Sequence, residues 1–129
     1  MRLLLDTHAF LWWVGGERPL GRRARAAVAD PGNEVLLSIA SCWEMAIKIS
    51  LGRLGIGQPL SRFIAEQLRV NAFSPLEIGL AHAARVAILP FHHRDPFDRM
   101  LIAQALQEDL TIVSADRVFG RYGVPRVWA

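Results

Sequence analysis

Leu3-Leu4-Leu5 runs without a break into Asp6. An unbroken apolar run, unlike an alternating one, describes a strand buried on both faces, as in the centre of a parallel sheet. Asp6 then stands at the carboxyl end of that strand. In open α/β sheets this edge is where ligands bind, at the point where strand order reverses. A carboxylate there is costly to desolvate unless a cation or strong donors meet it. The run therefore sets an α/β fold and raises the question of which other acids join Asp6.

The rest of the chain supplies strands and helices in alternation. A short helix is expected over Asp6–Val14, ended by Gly15-Gly16, and an arginine-rich one from Pro19 to Asp30, closed by Pro31-Gly32-Asn33. Glu34–Ser38 reads as a second buried strand. Ile39–Leu51 reads as a helix whose apolar stripe is Ile39, Trp43, Ala46, Ile47 and Leu51. Leu60, Phe63, Ile64 and Leu68 repeat at helical spacing, and Ala72-Phe73 reads as a short third strand. Ser74-Pro75-Leu76-Glu77 carries the signature of a helix start: cap, proline, then acid. That predicts a fifth helix running to about Ile88. Asp95-Pro96-Phe97-Asp98 repeats the signature and opens a sixth, from Pro96 to about Glu108. Leu110–Ser114 is the fourth strand, and Arg126–Trp128 a short last one. Strands separated by helices imply a doubly wound, three-layer α/β/α fold with a mostly parallel sheet of four to five strands. The chain is expected to form one domain over residues 1–129.

Composition removes several classes. No apolar run approaches the ~20 residues of a membrane span. Arg2, three leucines and an acid do not make a signal peptide. The single cysteine, Cys42, provides no disulfide framework and suits a reducing cytoplasm. Basic residues outnumber acidic ones 15 to 12, and all but Lys48 of the basic ones are arginine, the better phosphate fork. The charges are scattered, so the basic balance is a weak pointer to nucleic acid.

The acids fall at telling places. Asp6 ends the first strand, Glu44 lies early in the helix after the second, Asp98 opens the helix before the fourth, and Asp116 follows the fourth. In a parallel sheet all four gather at one edge. Such a cluster repels itself, and an oxygen-bound divalent cation, Mg²⁺ or Mn²⁺, is the usual resolution. A bound cation would then support attack on a phosphodiester. Each acid has a structural reading as well. Glu44 follows Ser41 at capping-box spacing and precedes Lys48 by four; Asp98 caps together with Asp95; Asp116 is a turn residue.

The four blocks LLLDTHAFLWW, SIASCWEMAIK, HHRDPFDRMLIAQA and TIVSAD resemble the PIN-domain family, and within it the toxin ribonucleases of bacterial toxin–antitoxin pairs. They stand in the family's order across almost the whole chain. The resemblance implies a PIN-like fold and a metal-dependent endoribonuclease silenced by a cognate antitoxin. By position it makes Asp6, Glu44 and Asp98 the metal-binding and catalytic acids, with Asp116 in a secondary part. It places the Ser114 hydroxyl beside that last acid, and Ser114, Arg99 and His93 are candidate substrate contacts. It also implies a homodimer and a groove for an antitoxin's apolar segment.

The other polar residues are less decisive. His92, His93 and Arg94 form a loop that either meets RNA phosphate or is merely solvated, and their spacing is not that of a zinc site. Arg99 is expected to orient Asp98 or to contact phosphate. Asp95 is expected to cap its helix. Trp12, Trp13 and Trp128, with Phe10 and Leu11, suggest an exposed aromatic surface for partners. A haloacid-dehalogenase phosphatase would need an acid where His8 stands, a receiver domain would need paired acids and a late lysine, and a dinucleotide fold would need a glycine-rich first turn. A non-catalytic RNA-binding or interaction module on the same fold is the remaining alternative.

Overall fold

Strand β1 (Arg2–Leu5) lies at the centre of a five-stranded sheet. The computed structural model describes residues 1–15 and 19–129, and every structural statement below concerns those residues. In chain order they form β1, α1 (Thr7–Val14), α2 (Arg22–Ala29), β2 (Glu34–Ser38), α3 (Ile39–Ser50), α4 (Leu60–Asn71), β3 (Ser74–Leu76), α5 (Leu80–Val86), α6 (Pro96–Glu108) and β4 (Thr111–Val113). A 3₁₀ segment (Arg117–Tyr122) and β5 (Arg126–Val127) complete the chain. The strand order is β3-β2-β1-β4-β5, with every neighbouring pair parallel. This is the three-layer α/β/α arrangement the sequence implies.

The three leucines are fully buried because helices cover both faces. Leu3 and Leu5 share one core with Val35, Leu37, Phe10, Met45 and Phe63. Leu4 points the other way, into a core with Leu36, Leu101, Ile102, Ile112 and Phe119. The period-two alternation of side chains thus splits one apolar run between two cores. Truncating any of these leucines to alanine would cost roughly 2–5 kcal/mol. Because the sheet is parallel, all strands deliver their carboxyl ends to the same edge, and α1, α3 and α6 bring their amino-terminal turns to it.

Several expectations are corrected. Ser74-Pro75-Leu76 is strand β3, not a helix start, and Ala72 ends α4 in the left-handed conformation (φ 56°) instead of opening a strand. Pro75 is tolerated because β3 is an edge strand, where a missing N–H breaks no outer ladder. Helix α5 begins only after Gly79 and stops at Val86. Helix α2 starts at Arg22, not Pro19, because Gly21 packs on the backbone of Trp128 and the Ala24 N–H donates to the Trp128 carbonyl (2.9 Å). Gly16, half of the expected breaker, lies outside the described residues, whereas Gly15 does end α1.

Helix α3 turns a different face inward from the one its apolar stripe suggests. Ala40, Ser41, Glu44 and Met45 are buried, whereas Trp43 and Leu51 are each 59% exposed. The helix aims its polar residues at the sheet edge, so the demands of the site override the stripe. Of the aromatic residues near α1, Trp12, Trp13 and Trp128 are half-buried against the core, so the expected aromatic surface is only partly open. Phe10 is fully buried, the Trp12 ring lies 5.6 Å from Trp128, and Trp13 donates to Asn71 Oδ1 (3.0 Å). Large apolar side chains are exposed at Met1, Trp43, Leu51, Val70, Ile78, Leu80, Ile88 and Phe91, and Trp43, Leu80, Ile88 and Phe91 among them lie on α3, on α5 and in the loop after it. No helix among the described residues is long and apolar enough to cross a membrane.

Candidate active site

Asp6 caps α1: its Oδ1 accepts from the Ala9 N–H at 2.7 Å, while its own N–H continues the ladder to the Val113 carbonyl. One residue therefore ends the strand, starts the helix and leaves a carboxylate at the sheet edge. It is only 7% exposed. Burial raises its pKa above the usual carboxylate value, against the opposing hydrogen bonds from Ser114 and Ala9.

Glu44 reaches the same edge from α3. Its Oε1 accepts from the Thr7 hydroxyl at 2.7 Å, and Thr7 Oγ1 also meets Ser41 Oγ at 3.0 Å. Its Oε2 pairs with Lys48 Nζ at 3.0 Å, so the expected i, i+4 pair is present. The expected capping box is not, because the cap of α3 is Ser38, whose Oγ accepts from the Ala40 N–H. Ser41 instead sits buried beneath the glutamate.

Asp98 stands in the first turn of α6, which Asp95 caps: Asp95 Oδ1 accepts from the Phe97 and Asp98 N–H groups at 2.8 and 3.1 Å. Burial, then the charge of Asp95, push the Asp98 carboxyl up to about 7; His93 opposes this, and Asp6 and Glu44 add to it. The mutual influence of Asp6, Glu44 and Asp98 is what carboxylates gathered at one edge produce. Asp116 begins the 3₁₀ segment, accepting from the Val118 N–H at 3.0 Å with Oδ1, and its Oδ2 lies 3.5 Å from His93 Nε2.

Three residues differ from their expected places. Arg99 neither orients Asp98 nor reaches outward: it is 6% exposed and donates to the carbonyls of Val86, Leu89, Pro90 and His93. A buried guanidinium needs all its donors met, and the loop before α6 provides the acceptors. Ser114 does stand beside Asp116, its Oγ accepting from the Asp116 N–H at 3.0 Å, but it is fully buried and turned to Asp6 instead of facing substrate. His93 is not a solvated loop residue, since its Nε2 lies 2.9 Å from Asp98 Oδ2. Sequence reasoning also passed over Thr7, whose one signal was its place directly after Asp6.

The donor set suits a hard divalent cation. His93, Asp98 and Asp116 each offer a ligand atom, all within 4.8 Å of one another, and Asp6 and Glu44 raise the negative potential there. A carboxyl pushed up first by burial and then by neighbouring carboxylates marks a site short of positive charge, and Lys48 answers Glu44. Carboxylate oxygens match the preference of Mg²⁺ and Mn²⁺.

A parallel sheet carrying carboxylates at its carboxyl edge places the protein among α/β folds with an acidic site at that edge. The PIN domain family model matches residues 3–125, and the chain belongs to that family. It is similar to ribonuclease VapC22 of Mycobacterium tuberculosis, with 26% identity over 98% of each chain. It is also 42% identical to ribonuclease VapC16 of the same organism over 60 residues, a match spanning 46% of this chain and 43% of that relative. Among solved structures, VapBC2 from Rickettsia felis bound to a promoter DNA fragment superposes with TM-score 0.71 over all of both chains at 11% identity. FitAcB from Neisseria gonorrhoeae does so with TM-score 0.64 at 21% identity, covering 96% of this chain and 95% of that one. At these identities the structures establish the fold.

Proposed function

We propose that the chain is a metal-dependent endoribonuclease, one domain over residues 1–129, acting in the cytoplasm as the toxin of a toxin–antitoxin pair. The observation that carries this reading is that Asp6, Glu44, Asp98 and Asp116 all stand at the carboxyl edge of one parallel sheet, with ligand atoms of His93, Asp98 and Asp116 within 4.8 Å of one another. The ribonuclease relatives support the reaction class, and the solved toxin–antitoxin complexes support the partner.

Asp6, Glu44 and Asp98 would hold Mg²⁺ or Mn²⁺, with Asp116 assisting directly or through water. The chemistry such an ion supplies is a more acidic bound water and neutralisation of the charge that builds on phosphorus. The protein's own contribution is positioning. The Ala9 N–H fixes one Asp6 oxygen, the Thr7 hydroxyl fixes one Glu44 oxygen, and the two helix amino termini at Asp6 and Asp98 favour negative charge. Exposed Trp43, Leu80, Ile88 and Phe91 supply apolar surface for a second copy and the antitoxin.

Incubating the purified chain with RNA, with Mg²⁺ and then with EDTA, tests the reading. Cleavage that EDTA abolishes and that Asp6→Asn lacks is the expected result. Full cleavage in EDTA refutes the metal mechanism, and RNA binding without cleavage in Mg²⁺ or Mn²⁺ favours the non-catalytic module.

A further inference from the structure

His93 is held from four directions. Its backbone N–H donates to Tyr122 Oη at 2.9 Å, and its carbonyl accepts from Arg99 Nη1 at 3.4 Å. Its ring Nδ1 accepts from the Asp95 N–H at 3.1 Å, and its ring Nε2 lies 2.9 Å from Asp98 Oδ2. The anchors are fixed in turn. The Tyr122 hydroxyl donates to the Pro90 carbonyl at 2.7 Å, and the Arg99 guanidinium lies 4.2 Å over the Phe91 ring while donating to three further carbonyls. A solvated loop histidine does not need this much support.

The contacts also fix where the proton sits. A backbone N–H can only donate, so Nδ1 presents its lone pair to Asp95 and the neutral ring carries its proton on Nε2. Nε2–H then donates to Asp98 Oδ2. Proximity alone makes His93 look like a third ligand beside Asp98 and Asp116. A protonated nitrogen has no lone pair for a cation, however. Moving the proton to Nδ1 would set it head-on against the Asp95 N–H.

We propose that His93 is a positioning residue and not a metal ligand: its Nε2–H fixes one oxygen of Asp98 so that the other faces the cation. The consequence for cleavage rests on the metal-nuclease reading above, whereas the tautomer and the hydrogen bond do not. Partners of this kind, one shell out from a metal, commonly contribute 10–100-fold to affinity.

The test combines spectroscopy with metal binding. Long-range ¹H–¹⁵N correlations on the labelled full chain report the His93 tautomer in EDTA and again at saturating Mg²⁺. Nε2–H in both conditions is expected. A Nδ1–H tautomer in either, or loss of the Nε2 proton on adding Mg²⁺, overturns the proposal. Mg²⁺ affinity by calorimetry should fall 10–100-fold in His93→Ala. It should return to within about threefold of wild type in His93→Gln, whose side-chain amide can again donate to Asp98. Equal weakening in both variants also overturns it. If His93→Ala fails to fold, the glutamine variant and the wild-type tautomer still decide. On an RNA substrate the expected pattern is a lower kcat with KM little changed. A chain that binds Mg²⁺ with the expected tautomer yet cuts no RNA would overturn the nuclease reading and leave the positioning role standing.

Discussion

Replacing Asp98 by Asn should stabilise the metal-free protein, and by an amount that depends on pH. The wild-type carboxyl is held at about 7 in the fold against 3.8 in an unfolded chain. A raised carboxyl pKa means that the folded state binds the proton more tightly. The stabilisation from this group is therefore complete below about 3.8 and is lost as pH rises from there through about 7. The full difference corresponds to roughly 4 kcal/mol. Because 24% of the side chain remains in solvent, about half of that is the better expectation. Asn keeps the shape and still accepts from His93 Nε2–H, but carries no charge among Asp95, Asp6 and Glu44. In EDTA at pH 8, Asp98→Asn should gain ~2 kcal/mol, which is about 7 °C in Tm for a chain of 129 residues. The gap should shrink steadily as pH falls from 7 toward 4. Saturating Mg²⁺ should raise the wild-type Tm by mass action and leave the variant unmoved. Thermal unfolding by circular dichroism in EDTA across this range is the measurement. No gap at pH 8, or one that does not change with pH, would refute the view that crowded carboxylates strain the site.

Three further outcomes are expected. Asp6→Asn should abolish RNA cleavage while melting close to wild type, because the amide oxygen can still accept from the Ala9 N–H; loss of the folded state would show that Asp6 serves structure first. Asp95→Asn should retain most cleavage and Asp95→Ala should lose ~1 kcal/mol of stability by denaturant titration, since the cap to Phe97 and Asp98 needs only an acceptor. Gly21→Ala should lower stability by about 1–3 kcal/mol without altering cleavage per folded molecule, because its Cβ would fall 2.3 Å from the Trp128 carbonyl oxygen; an unchanged Tm would mean that the chain end yields freely.

What was legible in the sequence was what local chemistry decides. Leu3-Leu4-Leu5 could only be a strand covered on both sides, and Asp95-Pro96 carries so complete a start signal that α6 runs over the expected residues. The same signal misled at Ser74-Pro75, where pairing to β2 outweighed it over just three residues. Local pattern cannot register that a neighbour's edge is free. Trp43 shows a second limit: its helix is oriented by Glu44 and Ser41 meeting Thr7, a contact between residues more than thirty positions apart in the chain. Arg99 and His93 show a third. The sequence points Arg99 to Asp98 or phosphate and His93 to phosphate or solvent, yet one anchors the loop carbonyls and the other meets Asp98, partnerships that exist only once α5, α6 and the loop between them are assembled.

The central place of β1 bears on when the molecule can do anything at all. Its two neighbours come from residues 34–38 and 111–113, so β1 must wait for the distant β4 before both its edges are paired. Until β4 leaves the ribosome, Leu4 lacks its partner Ile112, and Ser114 is not yet beside Asp6. Pairings this distant in sequence form slowly, and a chain interrupted before β4 carries an open, apolar strand edge. A chain that stops before β4 would therefore be inert and a ready substrate for chaperones and proteases.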